Sequence, residues 1–207
     1  MKRLDVIASM IEPCSVFADI GCDHGIISLY VQKNKLAERV CACDASEACL
    51  NKAKKLLSNY RTEFFVGDGF VPLEQAGITA DQVVIAGMGG ELIIKILKAC
   101  TYKPDLVLGA QKNTDKLRAF LIGRGYKIIK DVKVEENGKF YDIIRAESGE
   151  SEPLCEIQEK MGVFYKTPNP DLLAYCNFTE QKLKNYKQTD ENRKTAELVR
   201  EVKKWQL

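Results

Sequence analysis

The sequence is poor in the residue patterns that build metal sites. It contains a single histidine, His24, and none of its eight cysteines forms a Cys-x-x-Cys pair. A typical Cys/His zinc set is therefore excluded, and we expect no metal. Several cysteines, among them Cys41 and Cys43, lie inside apolar runs, so we expect buried, reduced thiols instead of a disulfide framework.

Long apolar segments and an excess of charge of one sign are also missing. No apolar run approaches the ~20 residues of a membrane span, and the N-terminus lacks the apolar region and small-residue cleavage site of a signal peptide. The 31 Lys and Arg residues against 29 Asp and Glu leave a formal charge of +2. A polyanionic partner would therefore have to meet a local patch. We expect a cytoplasmic protein with no membrane contact, and no obligate protein partner is evident.

What the sequence does contain is a regular alternation of strand-like and helix-like segments over about two thirds of its length. The strand-like runs are Val16–Ile20, Val40–Asp44, Glu63–Val66, Gln82–Ala86 and Leu106–Gly109. The helix-like segments between and after them are 26–34, 46–58, 90–100 and 114–124. Short strands separated by helices predict βαβ units, and hence an α/β fold with a mostly parallel sheet.

The pattern changes after the fifth strand. Two alternating runs, Tyr126–Val134 and Phe140–Ala146, flank an Asn137-Gly138 pair, which predicts a β-hairpin. Five parallel strands followed by a hairpin resemble the Rossmann-like, seven-stranded sheet of class I methyltransferases, whose last strand is inserted antiparallel. A plain doubly wound sheet would end on another helix.

A polar stretch around residues 148–153 predicts a domain boundary, with domains at 1–150 and 151–207. In the second domain, apolar residues at 3- and 4-residue multiples predict two helices that fold back as a coiled-coil-like hairpin. These residues are Leu172, Cys176, Leu183, Tyr186, Leu198, Val202 and Trp205. A helix pair that simply packs on the main domain is an equally good interpretation.

The loop after the first strand, Asp19-Ile20-Gly21-Cys22-Asp23-His24-Gly25, is a glycine-bearing turn into a helix. Such a turn points backbone N–H groups and a helix N-terminus at a ligand. A dinucleotide site requires G-x-G-x-x-G, in which the second glycine admits the pyrophosphate. Here Asp23 occupies that position, and its carboxylate would repel a pyrophosphate. A nicotinamide oxidoreductase therefore becomes the less favoured alternative.

S-adenosylmethionine fits this loop better because it carries an ammonium, a carboxylate and a sulfonium, and no phosphate. The loop resembles the (D/E)-x-G-x-G-x-G motif of class I methyltransferases, with Asp23 in place of the middle glycine. Asp44 ends the second strand, where a carboxylate can accept both ribose hydroxyls. Asp68 follows the third, where these enzymes place a polar residue against adenine. We predict a cofactor site made of Asp19, Gly21, Cys22, Asp23, His24, Gly25, Asp44, Ala45, Asp68, Gly69, Ala86 and Gly87.

The fourth strand ends in Ala86-Gly87-Met88-Gly89-Gly90, and its glycines favour backbone lying against a ligand. Together with the first loop, Gly67-Asp68-Gly69, Gln111-Lys112-Asn113 and Gly138-Lys139-Phe140-Tyr141, this stretch resembles the bacterial tRNA (adenine(22)-N1)-methyltransferase family. The resemblance covers the whole chain. One departure is Lys112, which stands where the family usually has proline and puts the rigidity of that loop in doubt.

The resemblance implies S-adenosylmethionine-dependent methylation of N1 of adenine 22 in tRNA. The residues predicted for catalysis and the target base are Gly87, Met88, Gly89, Gly90, Gln111, Asn113 and His24, although His24 could equally be a helix cap. A basic rim for the tRNA is predicted from Lys112, Lys116, Arg118, Arg124 and Lys127, with the lysines of the C-terminal helices beyond it. Another class I methyltransferase and a non-catalytic RNA-binding module remain alternatives.

Overall fold

A computed structural model describes residues 3–187 and 189–206. The strands of its sheet are β1 (Cys14–Ile20), β2 (Ala37–Asp44), β3 (Thr62–Val66), β4 (Gln82–Met88), β5 (Asp105–Ala110), β6 (Tyr126–Glu136) and β7 (Lys139–Ser148). The helices are α1 (Arg3–Ala8), α2 (Ile26–Lys33), α3 (Glu47–Leu56), α4 (Val71–Gln75), α5 (Gly90–Ala99), α6 (Thr114–Gly123), α7 (Glu156–Met161), α8 (Pro170–Lys184) and α9 (Asp190–Gln206).

The described residues form a seven-stranded sheet in the order β3-β2-β1-β4-β5-β7-β6. Strands β1 to β5 run parallel, and β7 lies antiparallel between β5 and β6. The predicted fold class is therefore confirmed, including the inserted hairpin. Apolar runs such as Val83–Ile85 and Leu106–Leu108 are fully buried because helices cover both faces of the sheet.

The strand order reverses between β1 and β4. Strand β1 pairs with β2 on one side and with β4 on the other, and all three run in the same direction. At such a point the connections after the two central strands leave on opposite faces of the sheet, which opens a crevice at the carboxyl ends. The loops that carried the sequence motifs all begin at this edge.

Three short helices, α1, α4 and α7, were not predicted from the sequence. Each has only five or six residues, too few to show a helical period. Helix α1 nevertheless contributes Ile7, which is fully buried under the sheet.

The C-terminal helices α8 and α9 lie antiparallel, since Gln206 at the end of α9 accepts a hydrogen bond of 2.6 Å from the backbone of Asn169 before α8. Their shared core includes the predicted Leu172, Cys176 and Val202. Two residues of the predicted apolar pattern, Tyr186 and Trp205, lie outside this core, with side chains 54% and 45% exposed. Tyr186 lies beyond the end of α8, and the Trp205 ring instead contacts the ammonium of Lys166.

A buried ion cluster joins α6, the hairpin and α7. Arg118 on α6 is fully buried and pairs with Asp131 at 2.7 Å and with Asp142 at 2.8 Å. It also donates a hydrogen bond to the carbonyl of Glu159 on α7. Burial opposes the charge of Asp142, but the neighbouring Lys133 and Arg118 hold the pKa of this carboxyl at about 2. The placement of Arg118 on a basic rim is therefore wrong, since its charge is internal.

Candidate active site

Two adjacent cavities open at the carboxyl edge of β1 and β4. The larger is about 380 Å³ and extends along the ends of β2 and β3, and the smaller is about 220 Å³ and extends toward α1 and α2. Gly21, Asp23, Ala86 and Gly87 line both. The two cavities together follow the sheet edge on either side of the β1 loop.

Asp44 shapes the β1 loop from the neighbouring strand. One of its carboxylate oxygens accepts the N–H of Asp23 at 3.0 Å, and the other accepts the N–H of Ser46 at 2.8 Å. Asp23 has a φ of +49°, beside the positive φ of Gly21 and Gly25, so the loop needs such an external partner to hold its shape. Asp44 also lines the larger cavity together with Ala45.

Asp19 is almost fully buried at the end of β1. A single oxygen of its carboxylate accepts both the N–H and the hydroxyl of Ser28 on α2, at 3.1 and 2.8 Å. Burial raises the pKa of Asp19 to about 6, although the Ser28 hydrogen bonds lower it. Asp19 lines the smaller cavity. Its charge is costly in this position, so a cation bound there would stabilise it.

The far end of the larger cavity combines a carboxylate with an apolar wall. Asp68 and Gly69 lie there, and the Asp68 carboxylate is 3.6 Å from the ammonium of Lys95. Leu92 and Ile96 on α5 supply the apolar side. Sequence analysis missed these two residues, because the apolar face of α5 predicted only its packing on the sheet.

Met88 lies at the end of β4, against the β1 loop. A Cβ atom on Gly21 would overlap the methyl group of the Met88 side chain, so the two loops meet face to face there. Met88 lines the larger cavity, and Gly87 beside it has a φ of +79° with open space around it. The structure thus brings Met88 and Gly87 of the predicted catalytic set to a cavity lined by residues predicted to bind the cofactor.

The loop between β5 and α6 is fastened to the end of β4. The side-chain amide of Gln111 donates to the carbonyl of Gly87 at 3.2 Å, and the N–H of Gly90 donates to the carbonyl of Lys112 at 2.8 Å. Any Cβ on Gly90 would collide with the carbonyl of Asn113. The glycines after β4 therefore serve this close approach, and they bring Gln111 next to the cavity edge.

His24 is half exposed and its Nδ1 lies 2.9 Å from a carboxylate oxygen of Asp23. Gly25 is the N-cap of α2, and no side chain caps that helix. The interpretation of His24 as a helix cap is therefore wrong. His24 lines the smaller cavity together with Arg3, which α1 places there and which sequence analysis missed because α1 is so short.

Comparisons with known proteins define the class of this site. A family model described as a methyltransferase domain matches residues 1–144. The chain is 33% identical to the tRNA (adenine(22)-N(1))-methyltransferase of Bacillus subtilis, in an alignment that covers 72% of this chain and 65% of that enzyme. This chain thus spans just under two thirds of the length of that relative. The chain belongs to the methyltransferase-domain family.

Solved structures extend the likeness to the C-terminal helices. The B. subtilis m1A22 tRNA methyltransferase TrmK is 28% identical, with 97% of both chains covered and a TM-score of 0.78. TrmK of M. capricolum, solved in complex with S-adenosyl-homocysteine, shares the fold with a TM-score of 0.82 at 20% identity, over 99% of this chain and 96% of that one. The resemblance to tRNA (adenine(22)-N1)-methyltransferases is thus confirmed. Within the described part of the chain, no helix has the length and apolarity to cross a bilayer.

Proposed function

We propose that the protein methylates N1 of adenine 22 in tRNA, with S-adenosylmethionine as the methyl donor. The observation that carries this proposal is the fastening of Gln111 to Gly87, since it joins the loop expected to hold the target base to the cavity expected to hold the cofactor. A nicotinamide oxidoreductase fits less well because the carboxylate of Asp23 lies in the loop position where the pyrophosphate would need a glycine.

The two cavities suit the groups of this cofactor. Glycine backbone at Gly21 and Gly87 leaves room for a ligand to lie against the chain. In the larger cavity, Asp44 would accept the ribose hydroxyls, and Asp68 with the apolar wall of α5 would hold the adenine. In the smaller cavity, Asp19 would face the ammonium through its buried charge. When bound, S-adenosylmethionine supplies a methyl group on a positively charged sulfur.

The chemistry at adenine N1 demands positioning more than acid–base catalysis. N1 already has a lone pair, so the residues around it need to orient the base and tolerate a cationic product. Gln111 and Asn113 carry amide groups for this task, at the junction of the two loops. His24 is hydrogen-bonded to Asp23 and would be available to assist the loss of a proton from the product.

A tRNA substrate requires contacts beyond the target base. Because N1 lies on the Watson–Crick edge, adenine 22 must leave its stack or pair before it can be methylated. Exposed Lys112 would meet a phosphate near the site. The predicted rim positions of Arg124 and Lys127 are wrong: Arg124 is engaged with the carbonyl of Cys100, and Lys127 pairs with Glu147 at the start of β6, at the opposite edge of the sheet. Residues 151–207 would contact the tRNA body, and this substrate would place the enzyme in the cytoplasm.

The test is to incubate an unmodified tRNA transcript with the protein and S-adenosylmethionine and then to map the modified nucleotide. We expect one N1-methyladenine, at position 22. Methylation at another position, or of another atom, would contradict the proposed substrate while leaving the class of enzyme intact. If no methyl group is transferred and calorimetry detects no cofactor binding, both the proposed substrate and the class of enzyme would be contradicted.

A further inference from the structure

A separate cavity of about 400 Å³ borders the β5–α6 loop and reaches the C-terminal helices. Gln111 and Asn113 form one wall, and Phe140 on β7 with Tyr175 on α8 form another. This cavity shares no lining residue with the two cofactor cavities. Its volume falls within the usual range for sites that bind small organic groups.

The aromatic wall is held in a fixed orientation. The rings of Phe140 and Tyr175 are 5.3 Å apart and nearly perpendicular, and Phe178 supports Phe140 from outside the cavity at 5.5 Å. The ammonium of Lys133 lies 4.3 Å from the centre of the Tyr175 ring and pairs with Asp142 at 2.5 Å. Rings fixed in this way lose little conformational entropy when a flat group packs on them.

The charges of the cavity favour an anionic ligand. The Asp142 carboxylate is neutralised by Arg118 and Lys133. Lys112 is exposed at the rim, and the stem of its side chain passes over Gly89. Lys160 lies on the same rim, 3.6 Å from Glu156, and Asp115 is the opposing carboxylate.

We propose that this cavity binds an unstacked nucleotide of the RNA adjacent to the methylated adenine. Its base packs against Phe140 and Tyr175, and its phosphate lies near Lys112. Single-stranded nucleotides are commonly recognised by aromatic stacking beside cationic side chains. Because Gln111 lines this cavity and also donates to the carbonyl of Gly87 at the edge of the cofactor cavities, a neighbouring nucleotide is within reach. The inference rests on the proposed function, which it deepens.

The first test compares two Phe-to-Leu changes. Phe140→Leu removes the ring from the cavity, whereas Phe164→Leu alters a phenylalanine, 40% accessible, that lines a different cavity. We expect Phe140→Leu to raise the KM and the Kd for tRNA about 5- to 150-fold, the loss typical of one stacked base. The kcat and the Kd for S-adenosylmethionine should stay within twofold, and Phe164→Leu should resemble the wild type.

The second test separates stacking from a structural effect on the fold. Transcripts with an abasic nucleotide at position 21 or 23 are assayed with wild-type and Phe140→Leu enzyme. We expect one abasic transcript to bind the wild type more weakly, and Phe140→Leu to add little further loss on that transcript. A merely structural role would make the two losses multiply.

The outcomes distinguish this inference from the proposed function. Fully multiplicative losses on both abasic transcripts, or an unchanged Kd for tRNA in Phe140→Leu, would overturn the neighbouring-nucleotide site. If the loss caused by Phe140→Leu is non-additive only with an abasic nucleotide at position 22, the target adenine itself binds in this cavity. That result would also overturn the neighbouring-nucleotide site. The proposed function itself fails only if the wild type does not methylate position 22, and equilibrium binding can be measured in either case.

Discussion

The two sides of the β4–β5 edge use charge in opposite ways. Toward β1–β3, the carboxylates of Asp19 and Asp44 line open cavities and accept backbone N–H groups, Asp19 from α2 and Asp44 from the β1 loop. Toward β6 and β7, the carboxylates of Asp131 and Asp142 are buried against Arg118 and Lys133, away from solvent. The first arrangement leaves negative charge for a cationic ligand. The second neutralises its charge internally, so that the exposed Lys112 on the rim, opposed by Asp115, is the cation offered to an anionic ligand.

This contrast matches the two ligands proposed for the enzyme. A sulfonium cofactor with an ammonium group is suited to the acidic side, and an RNA phosphate to the side whose carboxylates are neutralised. The buried cluster also fixes α6, whose first residue Thr114 donates its hydroxyl to Asp142 at 2.8 Å. The loop carrying Gln111 and Asn113 is thus held by both sides.

The largest expected effect is the loss of the buried cation. Arg118→Met should lower the free energy of unfolding by about 3–5 kcal/mol, because it leaves the buried Asp131 without its cation and Asp142 with Lys133 alone. Urea denaturation would measure this loss. Arg39→Met is the matched control, since Arg39 pairs with Glu63 on the surface, and exposed pairs contribute only about 0–1 kcal/mol. Equal losses in the two variants would show that the buried cluster stabilises the fold no more than a surface ion pair does.

Asp44→Ala should have the next largest effect, and on the ligand more than on the fold. It removes the acceptor of two backbone N–H groups and the proposed partner of the ribose. A loss of about 2–4 kcal/mol in binding corresponds to roughly 30- to 1000-fold in the Kd for S-adenosylmethionine. Calorimetry would measure it, with Asp68→Ala as the milder control because its carboxylate is exposed. An unchanged Kd in Asp44→Ala would show that Asp44 does not contribute to binding of the cofactor.

The contrast also explains what the sequence could and could not predict. Strands β1–β5 follow from short apolar runs because both faces of the sheet are buried, and the hairpin follows from Asn137-Gly138. The burial of Arg118 could not be predicted, since its partners Asp131 and Asp142 lie 13 and 24 residues further along the chain. Pairing of that kind depends on the packing of α6 against β6 and β7.

Within the site, residue types were predictable but contacts were not. The strand-end positions of Asp19, Asp44 and Asp68 follow from the chain pattern, and the structure places all three at the cavities. The contact by which Asp44 holds the β1 loop could not be predicted, because it depends on the positive φ of Asp23. Arg3 was missed because the sequence gives no period for a six-residue helix.

Asp19→Asn tests how the buried carboxylate of Asp19 affects the pH dependence of stability. The pKa of Asp19 is raised from 3.8 to about 6 in the fold, so the folded state holds its proton more tightly than the unfolded chain. Wild-type stability should therefore fall as pH rises from about 4 to 6 and then level off. Asparagine can still accept from Ser28 without the charge, so the variant should be more stable above pH 6, by up to about 3 kcal/mol. Thermal unfolding across this pH range would show whether the difference vanishes near pH 4.

The same change should weaken the binding of the proposed cofactor. Asp19→Asn removes the negative charge that would face the ammonium, so the Kd for S-adenosylmethionine should rise about tenfold at pH 7.5. In the wild type the Kd should rise as pH falls below about 6, because Asp19 becomes protonated. An Asp19→Asn protein that is more stable yet binds equally well would mean that the buried charge serves no ligand.

The smallest effect is expected at Asn113, where backbone and side chain can be separated. Asn113 has a φ of +56° at the start of α6. Asn113→Gly keeps this conformation available and removes the amide, whereas Asn113→Ala also strains the backbone by about 1 kcal/mol. If the amide positions the target adenine, both variants should lose roughly tenfold in kcat, with the alanine variant less stable in urea. If Asn113→Gly retains full turnover, Asn113 serves only the shape of the loop. Gln111 would then be the residue of this loop that positions the target adenine.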